Sequence, residues 1–190
     1  MTTDHNVIEY PKPPLETGFI RLRRWTEDDI AWQVELFEGD TELERWGDSP
    51  IPYTEETARE SFARSEERRR EGEAIFFAIE DASSGELVGG VQLINVNKNR
   101  ATAGIGYWVA TPARNRGVAT AAVKVLSAWA FEALSLKRIE LWTVPGNASS
   151  ERVAEKAGFT REGVLRSYAE IRGQRTDAVM YSRLPGDSKA

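Results

Sequence analysis

The chain has 190 residues, of which 41% are hydrophobic and 29% charged, and its formal net charge is −5 at pH 7. This length and composition predict one globular domain with its own core. Because the chain has no cysteine, disulfides and thiolate metal ligands are excluded, no metal site is expected, and a cytoplasmic location is favoured. The negative charge argues against a nucleic-acid partner, and the short apolar runs argue against insertion into a membrane.

The first third of the chain predicts an arm, a strand and two helices. Residues 1–16 are polar and contain several prolines, which favours an extended arm. Alternating apolar residues predict a strand over 19–25. Two helices follow, each opened by a threonine N-cap; they are predicted over 26–37 and 55–71, with a loop over 39–53 between them.

The rest of the chain predicts a mixed sheet. Strands are predicted over 74–79, 87–94, 102–109 and 137–144, followed by a short helix over 151–157 and a final hairpin. A long helix over 116–134 has an apolar stripe made of Val118, Ala122, Val123, Leu126, Ala130 and Leu134. Trp142 is expected to face the core. This order predicts an α+β domain with a mixed, mostly antiparallel sheet and helices on both faces.

The most informative segment joins the strand over 102–109 to the long helix. It consists of Arg114, Asn115, Arg116, Gly117, Val118, Ala119 and Thr120. The first turn of a helix has backbone N–H groups without internal partners, and the helix dipole makes this end positive. Gly117 lets the backbone approach an anion, Ala119 is small, and the two arginines add charge-assisted contacts. The segment therefore predicts a pyrophosphate site.

Two common phosphate-binding loops do not fit this segment. A Walker loop needs Lys followed by Ser or Thr after its second glycine, and a Rossmann loop needs three spaced glycines. The pattern Arg114-x-x-Gly117-x-Ala119 instead resembles the acetyl-coenzyme A loop of the GNAT N-acetyltransferases, Gln/Arg-x-x-Gly-x-Gly/Ala. This resemblance implies that acetyl-coenzyme A (acetyl-CoA) is the cosubstrate.

A second signature lies further along the chain. Asn147-x-x-Ser150, followed by Val-Ala-Glu-Lys-Ala-Gly-Phe over 153–159, resembles the RimJ/RimL-type branch, named for acetyltransferases of ribosomal-protein N-termini. The resemblance implies one GNAT domain over 17–185, preceded by the arm over 1–16 and followed by a tail over 186–190. It also implies a sheet that splays between the strand ending near Val109 and the strand starting near Arg138.

The resemblance also implies roles for individual residues. A backbone N–H at Trp108 or Val109 would polarise the thioester carbonyl. Ser150 would donate a proton to the departing thiolate, and Asn147 would hold the turn or bind the pantetheine arm. The alternative for Ser150 is to be the N-cap of the following helix, with Ser149 as a competitor for that position.

The general base is the least defined part of the predicted site. Many GNAT enzymes have a glutamate on the strand before the phosphate loop, but residues 101–107 include no carboxylate. Glu140 on the next strand is a candidate, although a surface ion pair with Arg138 is the favoured interpretation, and ordered water is another route for the proton. Tyr107 is an alternative acid for the thiolate, with aromatic packing on the sheet as the favoured interpretation.

The acceptor side is predicted from the loop over 39–53. Trp46 would either form a wall of the acceptor pocket or cover the core. Its acidic neighbours Glu42, Glu44 and Asp48 would favour a cationic amine. The favoured acceptor is the N-terminal α-amine of a protein or peptide. The alternatives are a small-molecule amine (an amino acid, a polyamine or an antibiotic) and a non-catalytic acyl-CoA-binding module. The sequence is compatible with a homodimer.

Overall fold

The described part of the chain forms one eight-stranded sheet in the computed structural model. The structure describes residues 6–47 and 49–187; Asp48 and most of the predicted tail, 188–190, lie outside the described residues. The strands are β1 (Leu15–Glu16), β2 (Ile20–Arg24), β3 (Ile75–Asp81), β4 (Leu87–Asn97), β5 (Thr102–Val109), β6 (Arg138–Thr143), β7 (Thr160–Ile171) and β8 (Gln174–Arg183). Their order in the sheet is β1-β2-β3-β4-β5-β6-β8-β7. All neighbours are antiparallel except β5 and β6, so the predicted mixed, mostly antiparallel sheet is confirmed.

Helices cover both faces of this sheet. They are α1 (Ile30–Gly39), α2 (Thr41–Trp46), α3 (Glu55–Arg70), α4 (Val118–Ala133) and α5 (Ala148–Lys156), with 3-10 turns at Glu27–Asp29 and Thr111–Ala113. The prediction of a loop over 39–53 is wrong in part, because α2 lies within it. Asp40 is the N-cap of α2, and its side chain accepts hydrogen bonds from the backbone N–H groups of Glu42 and Leu43. No helix in the described part of the chain is long and apolar enough to cross a membrane.

The main core lies between the sheet and α4. Five of the six predicted stripe residues are buried, namely Val118, Ala122, Val123, Leu126 and Ala130, and Leu134 packs against them half-buried. A second cluster around Ile30, Tyr53 and Ala58 joins α1 and α3. The N-terminal arm is packed on the domain, because Ile8 is 1% exposed and the Tyr10 hydroxyl donates to the Phe76 carbonyl.

Trp142 does not face the core as expected. Ile139, Leu141 and Thr143 of β6 are buried, and alternate residues of a strand point to opposite faces, so Trp142 points outward and is 39% exposed. There its ring meets Tyr168 of β7 edge to face, with the ring centroids 6.3 Å apart.

The pairing of β5 with β6 is short. It joins Thr102, Ala103 and Gly104 to Arg138, Ile139 and Glu140, and it ends there. The next five residues of β5 stay paired with β4 on one side only. The two strands therefore separate beyond Gly104, which is the splay that the family resemblance implies.

A buried ion pair fixes the start of α1 on the sheet. Asp29 is 5% exposed, and its carboxylate accepts two hydrogen bonds from the Arg23 guanidinium, at 2.7 and 2.8 Å. It also accepts one from the backbone N–H of Thr26 at 2.8 Å. Burial alone would raise the pKa of Asp29, but the hydrogen bonds from Arg23 and Thr26 outweigh it and lower that pKa.

This pair predicts a pH-dependent loss of stability in the Asp29→Asn variant. The pKa of Asp29 is lower in the folded protein than in the unfolded chain, where it is about 3.9. The ion pair therefore stabilises the fold fully above about pH 3.9, and this stabilisation is lost as the pH falls through the pKa of Asp29 in the folded protein. We expect Asp29→Asn to lower the free energy of unfolding by roughly 2–3 kcal/mol at pH 7, and by much less near pH 2. Urea unfolding at both pH values checks this, with Asp28→Asn, an exposed neighbour, as the matched control. An equal loss at both pH values would contradict the assignment.

Candidate active site

A large cleft of about 1520 Å³ runs through the splay. On the α4 and α5 side it is lined by Tyr107, Ser150 and the segment 117–120. On the opposite side it is lined by Trp108, Trp46 and other residues of the α1–α3 region. The structure therefore brings most of the predicted site residues to one continuous space.

The start of α4 has the geometry of an anion site. Gly117 is the N-cap with φ +83°, a left-handed conformation in which a side chain would be strained, although a Cβ there would have room. No side chain caps the helix. The backbone N–H groups of Val118, Ala119 and Thr120 are therefore free to bind an anion, and the helix dipole favours negative charge at this position.

The two predicted basic residues of this segment are in different situations. Arg114 Nη2 forms an ion pair with Asp40, and Arg114 Nε donates to the Val109 carbonyl at 2.9 Å. Arg116 is 57% exposed in its side chain and lies 3.2 Å from Asp81. Asn115 is exposed and has φ +60°, which completes the turn into Gly117. Arg116 is thus the more exposed of the two cations, whereas Arg114 is the one that lines the cleft.

Tyr107 and Ser150 form a direct pair. The Tyr107 hydroxyl donates to Ser150 Oγ at 3.0 Å. The N-cap of α5 is Asn147, whose side-chain oxygen accepts from the Ser150 backbone N–H at 3.1 Å. Ser150 is in the third helical position, so neither it nor Ser149 is the N-cap, and the capping alternative is wrong. Burial raises the pKa of Tyr107 to about 12, although the Ser150 hydrogen bond opposes this, so the phenol stays protonated at neutral pH.

Trp108 and Val109 lie at the unpaired end of β5. The Trp108 ring points to the face opposite Tyr107, where it stacks with Trp25 and Trp32 at centroid distances of 5.8 and 5.9 Å. It lies directly over Gly90, where a Cβ would come within 2.8 Å of the indole. The glycine at position 90 is therefore required by the ring, which fixes one wall of the cleft.

Glu140 is not brought to the Tyr107–Ser150 pair. Arg138 Nε donates to Glu140 Oε1 at 2.8 Å, and Arg138 also pairs with Glu162. Glu140 lines a separate recess of about 70 Å³ beside Trp142 and Tyr168. The surface ion pair favoured from the sequence is thus present. Within residues 6–47 and 49–187, no group of three or more His, Asp or Glu residues could hold a metal ion.

Trp46 ends α2 and lines the cleft. Its indole N–H donates to Glu42 at 2.9 Å, and the Arg45 guanidinium lies 4.5 Å from its ring centroid. Arg172, in the turn between β7 and β8, donates to the Glu44 carbonyl at 2.8 Å. The backbone of α2 is thus tied to the C-terminal hairpin at one end and to Asp40 at the other.

Comparison with known proteins identifies the fold and the chemistry. A family model described as an acetyltransferase (GNAT) domain matches residues 20–160. The chain belongs to this family. The "Probable N-acetyltransferase YjcK" of Bacillus subtilis is 38% identical over 122 residues, which cover 64% of this chain and 67% of that protein. The ribosomal-protein-serine acetyltransferase of Escherichia coli is 22% identical over 180 residues, 95% of this chain and 90% of that protein.

A solved structure agrees with this assignment. Mycobacterium smegmatis RimJ in complex with CoA-disulfide superposes with a TM-score of 0.82 at 28% identity, covering 93% of this chain and 90% of that one. The predictions of a GNAT acetyltransferase similar to the RimJ/RimL branch, of its fold, and of acetyl-CoA as the cosubstrate are confirmed. The roles of individual residues stay predictions.

Asp40 is the main site-adjacent residue that sequence reasoning missed. It is 6% exposed and connects the start of α2 to Thr111 and Arg114. A signal existed, since an aspartate followed by Thr-Glu-Leu-Glu is typical of a helix start. The helix that follows has six residues and no buried side chain, so it shows no apolar periodicity.

Proposed function

We propose that this GNAT enzyme transfers the acetyl group of acetyl-CoA to the N-terminal α-amine of a protein or peptide. The observation that carries the proposal is the Tyr107–Ser150 hydroxyl pair in the splay, beside the uncapped start of α4. In the reaction, the neutral amine attacks the thioester carbonyl, a C–N bond forms, and the C–S bond breaks. The amine loses one proton and the coenzyme A thiolate gains one.

The donor is held mainly by backbone groups. The amides of Val118, Ala119 and Thr120 bind the pyrophosphate, and Arg116 adds charge from the rim. The pantetheine arm follows the unpaired edge of β5 as an added strand would. This places the thioester near Trp108 and Val109, where a backbone N–H polarises its carbonyl.

We expect Gly117→Ala to weaken coenzyme A binding by about ten-fold or more. A side chain disfavours the left-handed conformation at this position, and the changed turn would point two backbone N–H groups away from the pyrophosphate, at a cost of roughly 1 kcal/mol for each lost hydrogen bond. The left-handed strain should also cost about 1–2 kcal/mol of stability. Gly173→Ala is the matched control, since Gly173 has φ +73° and open space at a hairpin turn. Both variants should lose similar stability in urea, and only Gly117→Ala should lose affinity by calorimetry. Unchanged affinity in a folded Gly117→Ala protein would remove the loop as the pyrophosphate site.

The leaving thiolate receives its proton from Ser150. Since Ser150 Oγ accepts the hydrogen bond of Tyr107, its own O–H is free to donate toward the cleft. Tyr107, kept protonated by burial, can then return a proton to Ser150. The two residues, which the sequence presents as alternatives, work as one relay in this proposal.

We expect Ser150→Ala to lower kcat by about 100-fold, the lower end for general acid catalysis, with little change in acetyl-CoA affinity. Because Asn147 caps α5, the variant should keep its stability. Tyr107→Phe should give a smaller loss, and the double variant should be no slower than Ser150→Ala alone. Ser149→Ala, an exposed serine in the same helical turn, is the control.

Steady-state kinetics and thermal unfolding check these variants together. If Ser150→Ala keeps its kcat while Tyr107→Phe loses it, Tyr107 is the direct donor. If both keep their kcat, the thiolate leaves without either hydroxyl.

The acceptor is an α-amine in this proposal because neither of the two places predicted to hold the general base supplies a free carboxylate. The described residues of β5 include none, and Glu140 is paired with Arg138. A peptide α-amine has a pKa of about 7.7–8.0 and a lysine side chain about 10.4, so the neutral fraction differs by roughly 300-fold near pH 7. The similarity to RimJ and to a ribosomal-protein-serine acetyltransferase supports the same acceptor class.

The acceptor test is a peptide with a free N-terminus and one internal lysine. Fragment mass spectrometry should place the acetyl group on the α-amine, and the same peptide with a blocked N-terminus should react at least 100-fold more slowly, as the difference in neutral amine predicts. Acetylation mainly on lysine would refute the assignment. Turnover of small amines alone would make this a small-molecule acetyltransferase, and tight acetyl-CoA binding without turnover would favour a binding module.

A further inference from the structure

Asp40 joins two parts of the cleft that are far apart in the chain. One carboxylate oxygen accepts from the backbone N–H groups of Glu42 and Leu43, at 3.1 and 3.2 Å, and so holds the start of α2. The other accepts from the Thr111 hydroxyl at 2.8 Å and pairs with Arg114 Nη2. A single side chain, 6% exposed, thus connects α2 to the segment that leads into α4.

Arg114 extends this connection to the sheet. Its Nε donates to the carbonyl of Val109, the last residue of β5, while its Nη2 is held by Asp40. Three elements therefore meet at one ion pair, namely the end of β5, the turn before Gly117 and the start of α2. A buried pair of this kind is well defined in position because moving either partner leaves the other charge without compensation.

Helix α2 is short and has no fully buried side chain. It has six residues, none of them buried, and an isolated helix of this length is unstable in water. The Asp40 carboxylate holds its N-terminus, and Arg172 donates to the carbonyl of Glu44 near its other end. Trp46, which lines the acceptor side of the cleft, depends on this helix for its position.

We propose that Asp40 is a positioning residue that couples the two halves of the cleft, so that coenzyme A bound at the start of α4 orders α2 and the acceptor wall formed by Trp46. The inference rests on the proposed use of the segment 117–120 as the pyrophosphate site. Coenzyme A bound at this segment holds the preceding turn, which contains Arg114, in one position. Arg114 and Thr111 then hold the Asp40 carboxylate, and Asp40 in turn holds the first residues of α2. By linkage, an ordered α2 strengthens coenzyme A binding to the same degree.

The charge state of Asp40 is consistent with this role. Burial would raise the pKa of Asp40, but the hydrogen bonds from Arg114, Thr111 and Leu43 outweigh it and lower that pKa. The carboxylate is therefore ionised at neutral pH, and the contact with Arg114 is charge-assisted.

The Asp40→Asn variant distinguishes the proposed coupling between the coenzyme A site and α2 from the role of Asp40 as the N-cap of α2. Asparagine is as good an N-cap as aspartate, so one side-chain oxygen can still hold Glu42 and Leu43. The neutral amide cannot replace the ion pair with Arg114. The matched control is Arg172→Gln, which loosens α2 at its other end and leaves Asp40 and Arg114 in place.

The experiment is hydrogen exchange with mass spectrometry on the full chain, with and without saturating coenzyme A, alongside calorimetry of coenzyme A. In the wild type, coenzyme A should slow exchange over 41–46 by about five-fold or more, the lower range of allosteric coupling. In Asp40→Asn, coenzyme A should still bind, with affinity reduced by a similar factor, and exchange over 41–46 should no longer respond. Arg172→Gln should exchange faster in both states and keep the response.

Two outcomes would overturn the proposal, and they are distinguishable. If coenzyme A slows hydrogen exchange over 41–46 in Asp40→Asn as much as in the wild type, Asp40 is only a helix cap, and the proposed function stands. If calorimetry shows that wild-type protein does not bind coenzyme A, the proposed donor site fails and the coupling fails with it. The measurement needs no acceptor, so it does not depend on which amine the enzyme uses.

Discussion

The separation of β5 from β6 beyond Gly104 is the constraint on which the rest of the site depends. Only three residue pairs join the two parallel strands, after which β5 continues for five residues with one edge open. An open strand edge inside a domain has unpaired backbone groups, which are costly unless something bonds to them. In our proposal an extended pantetheine arm supplies those bonds, so the gap that weakens the sheet also provides the binding site.

The alternation of side chains along β5 places Tyr107 and Trp108, which have different proposed roles, on opposite faces of the sheet. Tyr107 and Trp108 are adjacent, so they point to opposite faces of the sheet. Tyr107 meets Ser150 at the start of α5, where the leaving group is handled in our proposal. Trp108 joins the aromatic cluster on the α1 side, where our proposal places the acceptor. A single strand thus separates leaving-group chemistry from acceptor recognition, and the thioester can lie between them.

The parts of this structure that could be predicted are those with local signals. Helix α4 has a long apolar stripe, and β5 is bounded by a turn and by Thr111-Pro112, so both were predicted closely. The partner of Arg114 could not be predicted, because Asp40 lies 74 residues away. The cap of α5 was ambiguous because Asn147, Ser149 and Ser150 are all good N-caps, and only the path of the chain out of β6 decides between them.

The arrangement of charges explains why so much of the proposed mechanism falls to neutral groups. Arg114 is paired with Asp40, and Arg138 is paired with Glu140 and Glu162, so our proposal gives Glu140 no role in proton transfer. The groups to which we assign the chemistry are backbone N–H groups and the Tyr107 and Ser150 hydroxyls, which can stabilise a thiolate but cannot readily remove a proton from an ammonium group. In this proposal the acceptor therefore arrives largely deprotonated or loses its proton to water. Under this proposal the enzyme would select its acceptor partly by the acceptor's own pKa, which would favour α-amines over lysine side chains before any shape recognition occurs.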